Sequence, residues 1–229
     1  MGIMELQFHQ KRHQRIGRWL ILLLSRILLF LLTRRRVKGK ENVPEQGRLL
    51  IVANHLSLAD QYLLAISLNR KVIFMAKEEI FRSRVIRYLA HTFGAFPVRR
   101  GGIMDRKALQ QANQVLDSGQ ALVMFPEGTR SKNAQLQPAF PGSALIALHN
   151  RIPILPVSIT GTEKVKKGPF WMLLHRPRVM VNIGCPFHLP PVNGKLTKAE
   201  LVELANYIME HIAELLPPEY RGHYARCGD

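Results

Sequence analysis

Cysteine and acidic residues are both scarce in this chain. The two cysteines, Cys185 and Cys227, stand in dissimilar surroundings and match no metal-ligand spacing; no zinc module can be read from them, and a reducing, cytosolic setting fits them. Only 16 Asp and Glu oppose 33 Lys and Arg, a formal net charge of +17. Such an excess calls for an anionic partner: nucleic acid, an acidic membrane surface or a phosphorylated substrate. Signatures of nucleic-acid binding are missing, since the chain has no aromatic-basic RNA motif, helix-turn-helix pattern or zinc spacing. Missing too are a Gly-x4-Gly-Lys-Ser/Thr loop and clustered Asp ligands, which argues against phosphoryl transfer. Without a Gly-x-Ser-x-Gly elbow, a serine acyl-enzyme is also disfavoured. Internal repeats and low-complexity tracts are absent.

No apolar run is long enough for a comfortable membrane span. The longest, from Trp19 to Leu32, is interrupted by Arg26. At 100° per residue, Lys11, Arg15, Arg18, Ser25, Arg26 and Thr33 fall on one narrow stripe interrupted by leucine, Leu22 among them, and Trp19, Leu20, Leu23, Leu24, Ile27, Leu28, Phe30 and Leu31 cover the remainder. The pattern predicts an amphipathic helix lying in a membrane interface, with Arg34, Arg35 and Arg36 adding about 1 kcal/mol each against anionic lipid. A signal peptide is disfavoured because no small-residue cleavage site follows. Residues 1–40 carry ten basic side chains against one acid, Glu5, so about half the charge excess is N-terminal.

The remainder reads as a globular unit, and 47% hydrophobic content is enough for a core. The predicted organisation is a membrane-associating segment over residues 1–36 and an α/β domain over 37–229. Apolar runs predict strands at 49–53, 72–76, 95–98, 121–125, 154–160 and 179–183, separated by helical patterns at about 60–69, 78–92, 104–118, 142–150 and 198–215. Alternation of this kind predicts an α/β fold with a largely parallel sheet flanked by helices, its ligand site off the carboxyl ends of the strands. Thr197 and Glu200 have the spacing of a capping box for the last helix.

Polar groups follow three of these strand ends. After the first come His55 and Asp60, which can meet if His55 lies in the turn and Asp60 in the first helical turn; Asp60 would then accept the Nδ1–H of His55 and leave Nε2 as a base for a hydroxyl. Taken alone, the stretch is also read as Asp60 capping its helix beside a loop histidine. Arg99 and Arg100 follow another strand and point to opposite sides, one of them suited to a phosphate, with a solvated pair as the alternative. Residues 121–125 are continuously apolar and end at Pro126, Glu127, Gly128, Thr129 and Arg130. A local Glu127–Arg130 ion pair in a surface loop is the simpler reading of that turn. In a parallel sheet, however, all three ends converge on one edge. They then combine a hydroxyl-activating base with arginines fit for a phosphate, which suggests acyl or phosphoryl transfer involving a phosphorylated alcohol.

Asn54-His55-x-Ser57-x-x-Asp60, Gly94-x-Phe96-Pro97-Val98-x-Arg100, Phe125-Pro126-Glu127-Gly128-Thr129-Arg130-Ser131 and Ile152-Pro153-Ile154-Leu155-Pro156-Val157 resemble, in order, the four motifs of the glycerophospholipid acyltransferases of the 1-acyl-glycerol-3-phosphate acyltransferase (PlsC-like) type. The resemblance spans about residues 37–217. It implies a membrane-associated O-acyltransferase at the cytoplasmic face. The acyl group would pass from acyl-CoA or acyl carrier protein to a lysophospholipid acceptor, with 1-acyl-glycerol-3-phosphate giving phosphatidic acid. By the same resemblance His55 is the general base held by Asp60, Arg100 holds the acceptor phosphate, and Glu127, Gly128, Thr129 and Arg130 complete the acceptor site. Neither a metal nor a prosthetic group is implied, and nucleic acid is not a partner. One stretch departs from the pattern: where relatives often carry Phe-Lys-Lys-Gly, this chain has Ala139-Phe140-Pro141-Gly142, so two cations are missing. Other readings of the same residues are an acyltransferase for a different lysolipid or glycerol-3-phosphate, a water-activating thioesterase, and a non-catalytic basic module on membranes or nucleic acid.

Overall fold

The computed structural model describes residues 12–82, 87, 95–98, 106–192 and 196–225. Its strands are β1 (Arg34–Lys38), β2 (Leu49–Ala53), β3 (Val72–Lys77), β4 (Phe96–Val98), β5 (Ala121–Met124), β6 (Ile154–Thr160) and β7 (Arg178–Ile183). The α-helices are α1 (Arg12–Leu32), α2 (Ala59–Ser67), α3 (Arg106–Asp117), α4 (Gly142–Asn150), α5 (Pro169–His175), α6 (Lys198–Glu214) and α7 (Pro218–Arg221). All seven strands join one sheet in the order β1-β7-β6-β2-β5-β3-β4. Every pairing is parallel except β6 with β7.

Strand alternation divides the core between the two faces of the sheet. Leu49, Ile51, Ala53, Val123 and Val157 point to one side, where Leu63 and Leu64 of α2 and Leu29 of α1 cover them. Leu50, Val52, Leu122 and Ile154 point to the other and meet α3, α4 and α6. Because β2 and β5 are buried on both faces, they read as unbroken apolar runs. Helix α6 opens on the expected capping box: the Thr197 N–H donates to Glu200 at 2.8 Å, and the Glu200 N–H donates to the Thr197 hydroxyl at 3.2 Å.

Two elements differ from expectation. The helical pattern over 78–92 begins as a 3₁₀ turn, Glu78–Arg82, and most of the rest lies outside the described residues. Arg34 to Lys38, expected to lead from a lipid-facing helix into a linker, form an edge strand parallel to β7, so the expected boundary after residue 36 falls inside a strand. Charge suits this position, because cations on an edge discourage further strand addition.

Helix α1 lies against the domain. Leu29 and Thr33 are buried and Leu22 and Ser25 half-buried, so part of the side of the helix expected to be polar is turned inward, while Arg26 is exposed. Trp19, Leu24, Leu28, Phe30 and Leu31 are exposed on the outer side. Among the described residues, no helix is long and apolar enough to cross a membrane.

Candidate active site

Adjacent parallel strands bring two loops together. Val52 of β2 pairs with Met124 of β5, so the residues just beyond these strands emerge side by side. The two connections then leave toward opposite faces, to α2 on one and α4 on the other, which is the geometry of a crevice at a topological switch point. Asn54 fixes the exit of β2. Its side-chain amide donates to the Ile159 carbonyl at 2.8 Å and accepts from the Ile159 N–H at 2.7 Å, tying the loop to β6.

His55 comes next, and the loop after β5 grips its backbone on both sides. The His55 N–H donates to Glu127 Oε1 at 2.8 Å, and the His55 carbonyl accepts from the Ser131 N–H at 2.8 Å. Phe125 stacks on the imidazole with ring centroids 4.1 Å apart and planes 18° from parallel. Residues 54–60 and 125–131 therefore meet in space.

Asp60 sits in the first turn of α2 and is completely buried. Its carboxylate turns back toward the loop instead of capping its own helix. Oδ2 lies 2.8 Å from His55 Nδ1 and accepts the N–H groups of Leu56 at 2.7 Å and Ser57 at 2.8 Å. A carboxylate at Nδ1 selects the tautomer with its proton on that nitrogen, which leaves the Nε2 lone pair on the side of the ring away from Asp60. The five-residue spacing works because the loop folds around the carboxylate.

Glu127 is buried to 2% exposure, and both its oxygens are engaged by backbone: Oε1 by His55 and Oε2 by the Gln137 N–H at 3.0 Å. No ion pair joins it to Arg130, which is exposed along with Thr129. Burial pushes the Glu127 carboxyl up to about 7 from an ordinary 4.5, outweighing the two N–H donors that favour the anion, with Asp60 nearby adding a smaller upward push. Since the folded protein holds this proton more tightly than the unfolded chain, stability falls as pH rises from about 4.5 to about 7. The full loss is roughly 3 kcal/mol. Glu127→Gln removes that slope, and urea unfolding of both proteins across this window measures it. Parallel pH profiles would show that Glu127 contributes no such linkage.

Gly128 has φ +66°, and a Cβ there would lie 2.8 Å from the Phe140 ring. Phe140 is exposed and can swing aside, so the backbone conformation dominates the cost. Gly128→Ala is expected to destabilise the protein by about 1–2 kcal/mol in urea unfolding, and unchanged stability would contradict this.

Arg100, expected at the end of β4, lies outside the described residues, as does Arg99. Three further contributors carried little sequence signal as individuals: the Asn54 clamp, the Phe125 stack, and the Ser131 N–H. Each depends on which strand lies next door. Among the described residues, no group of three or more His, Cys, Asp or Glu side chains is placed to hold a metal ion.

A mostly parallel α/β sheet with a histidine–aspartate pair beyond its strand ends defines a class of protein suited to drawing a proton from a bound hydroxyl. The Acyltransferase family model matches residues 34–160, and the chain belongs to that family. A 1-acyl-sn-glycerol-3-phosphate acyltransferase of Streptococcus pneumoniae is 30% identical over 76% of this chain and 63% of its own length. A chloroplastic protein of the same name from Brassica napus is 30% identical over 62% of this chain and 44% of its own length. The chain thus spans under half of that plant relative and less than two thirds of the bacterial one. The crystal structure of the 1-acyl-sn-glycerophosphate acyltransferase PlsC from Thermotoga maritima superposes with a TM-score of 0.64 at 26% identity, covering 92% of this chain and 85% of that one. The fold is PlsC-like.

Proposed function

We propose that this protein transfers a fatty acyl group from an acyl thioester to the free hydroxyl of 1-acyl-glycerol-3-phosphate, giving phosphatidic acid. The observation that carries the reading is the 2.8 Å contact between His55 Nδ1 and Asp60 Oδ2 at the carboxyl ends of the strands. In this mechanism His55 Nε2 takes the acceptor hydroxyl proton as its oxygen attacks the thioester carbonyl. A C–O bond forms, the C–S bond breaks, and the leaving thiolate takes the proton back from the imidazolium, which restores neutral His55. Asp60 holds the tautomer and stabilises the imidazolium. Arg100 holds the acceptor phosphate, and Thr129 and Arg130 line the acceptor side of the β5 loop, where Gly128 lets the chain turn.

Glu127 takes a positioning role. Both carboxylate oxygens already accept backbone N–H groups, so it acts through the His55 peptide, not on the substrate. The donor is acyl-CoA or acyl carrier protein, and the reaction uses neither metal nor prosthetic group. The chain works on the cytoplasmic face of a membrane, with α1 in the interface, since its acceptor is itself a lipid. Support for the acceptor comes from the relatives named 1-acyl-sn-glycerol-3-phosphate acyltransferase.

The test is a panel assay of the detergent-solubilised full chain with both donor types. Acceptors are 1-acyl-glycerol-3-phosphate, glycerol-3-phosphate and a choline lysophospholipid. The highest kcat/KM is expected for 1-acyl-glycerol-3-phosphate. Acylation of none of them, or a preference for the choline head group, would overturn the reading.

A further inference from the structure

Between β6 and β7 the chain makes an excursion that the acyl-transfer site does not use. It runs through a 3₁₀ segment, Thr162–Lys167, into the seven-residue helix α5. Met172 is buried and anchors this helix, but its neighbours at helical spacing point away from the protein. Phe170 is 75% exposed, Leu174 67% and Leu173 55%, which is unusual for three large apolar side chains on so short an element. Trp171 lies between them, half-buried, stacked on His175 with centroids 4.3 Å apart and capped by Lys167 Nζ 4.3 Å above its ring.

This knob is fixed to the outward-facing end of α1. Arg176, just beyond α5, donates to the Phe30 carbonyl at 2.9 Å, and the Arg34 N–H donates to the Pro177 carbonyl at 3.0 Å. Helices α1 and α5 pack together, and both carry exposed apolar side chains, Phe30 and Leu31 at the tied end of α1 and Phe170 and Leu174 on α5. Cations flank both pairs in sequence. Arg34, Lys164, Lys167, Arg176 and Arg178 are exposed, and among the described residues none of them is in an ion pair. The only acid between Gly161 and Arg178 is Glu163, which accepts the Tyr220 hydroxyl at 3.0 Å.

We propose that α5 is a second membrane-inserting element, which enters an anionic lipid surface beside α1 and, through the Arg176–Phe30 tie, sets the orientation of the domain on it. An apolar tip with unpaired cations around its base matches acyl chains beneath anionic head groups. The axis of α1 and a second insertion point off that axis define a plane, whereas one helix alone would leave the domain free to roll about its axis. The proposal rests on the membrane association of α1 given above.

The chain contains two tryptophans, Trp19 on α1 and Trp171 on α5. Trp171→Phe and Trp19→Phe therefore leave one reporter on each element. Each variant is mixed with vesicles of equal phosphatidylglycerol and phosphatidylcholine, the lipids brominated near the head-group end of their acyl chains. Quenching of both reporters is expected. Quenching of Trp19 without Trp171 would overturn the proposal and leave the role of α1 intact, and quenching of neither would overturn both. In parallel, Phe170→Ser with Leu174→Ser is expected to weaken vesicle binding roughly tenfold or more while leaving the unfolding midpoint unchanged, because both side chains are exposed. Unchanged binding would contradict the proposal. His55→Ala should bind vesicles like wild type, so loss of the catalytic reading would not affect this result.

Discussion

His55→Ala is expected to lower acyl transfer about 10³-fold or more, the scale on which a positioned general base contributes. It should leave the fold intact. Asp60 keeps two of its three donors, Leu56 and Ser57, when the imidazole is removed, so the stability cost, including the lost stack on Phe125, is about 1–3 kcal/mol. Steady-state rates beside urea unfolding separate the two effects. If the imidazole acts on the hydroxyl proton in the transition state, as proposed, and does not hold the acceptor, KM for the acceptor should move much less than kcat. A variant with near-normal kcat would remove His55 from the reaction.

The second large effect falls on Asp60. Three hydrogens converge on Oδ2 inside a completely buried site, so Asp60→Ala strands the Leu56 and Ser57 N–H groups and frees the imidazole to rotate. A loss of about 3–5 kcal/mol in stability is expected, together with the loss of transfer activity. Asp60→Asn separates charge from hydrogen bonding. An amide oxygen in the place of Oδ2 can still accept all three donors, with its NH₂ where Oδ1 has no partner among the described residues. Much of the stability should return, while the rate stays about 10²-fold down or lower, because no anion remains to stabilise the imidazolium. Wild-type rates in Asp60→Asn would show that the carboxylate acts only as an acceptor.

The central strands were legible from local pattern because burial on both faces leaves no polar position to confuse the period: Leu49–Ala53 and Ala121–Met124 lie where their apolar runs predict. Capping-box spacing marked the start of α6 for a similarly local reason. What escaped depends on partners remote in sequence. Arg34–Lys38 is a strand only because Arg178–Asn182 lie beside it, and its charge pointed toward lipid instead. The reversed direction of β7 follows from the turn back after α5, which no periodicity reports. At the site, the residue types were readable and their division of labour was not. Glu127 has the composition of a ligand-facing charge, yet the register of β2 against β5 turns it inward onto the His55 N–H. The greasy side of α1 was legible, but that part of the opposite side packs on the domain follows from Leu22 and Leu29 meeting the α2 cluster.

In the proposed function His55 and Asp60 deliver an acyl group to a phosphorylated alcohol and not to water. Its most direct test is stoichiometric: the full chain is given an acyl thioester with 1-acyl-glycerol-3-phosphate, and thiol release is counted against phosphatidic acid by mass spectrometry. The predicted result is one phosphatidic acid for each thiol released, with both products lost together in His55→Ala. Thiol released with free fatty acid and no phosphatidic acid would contradict it.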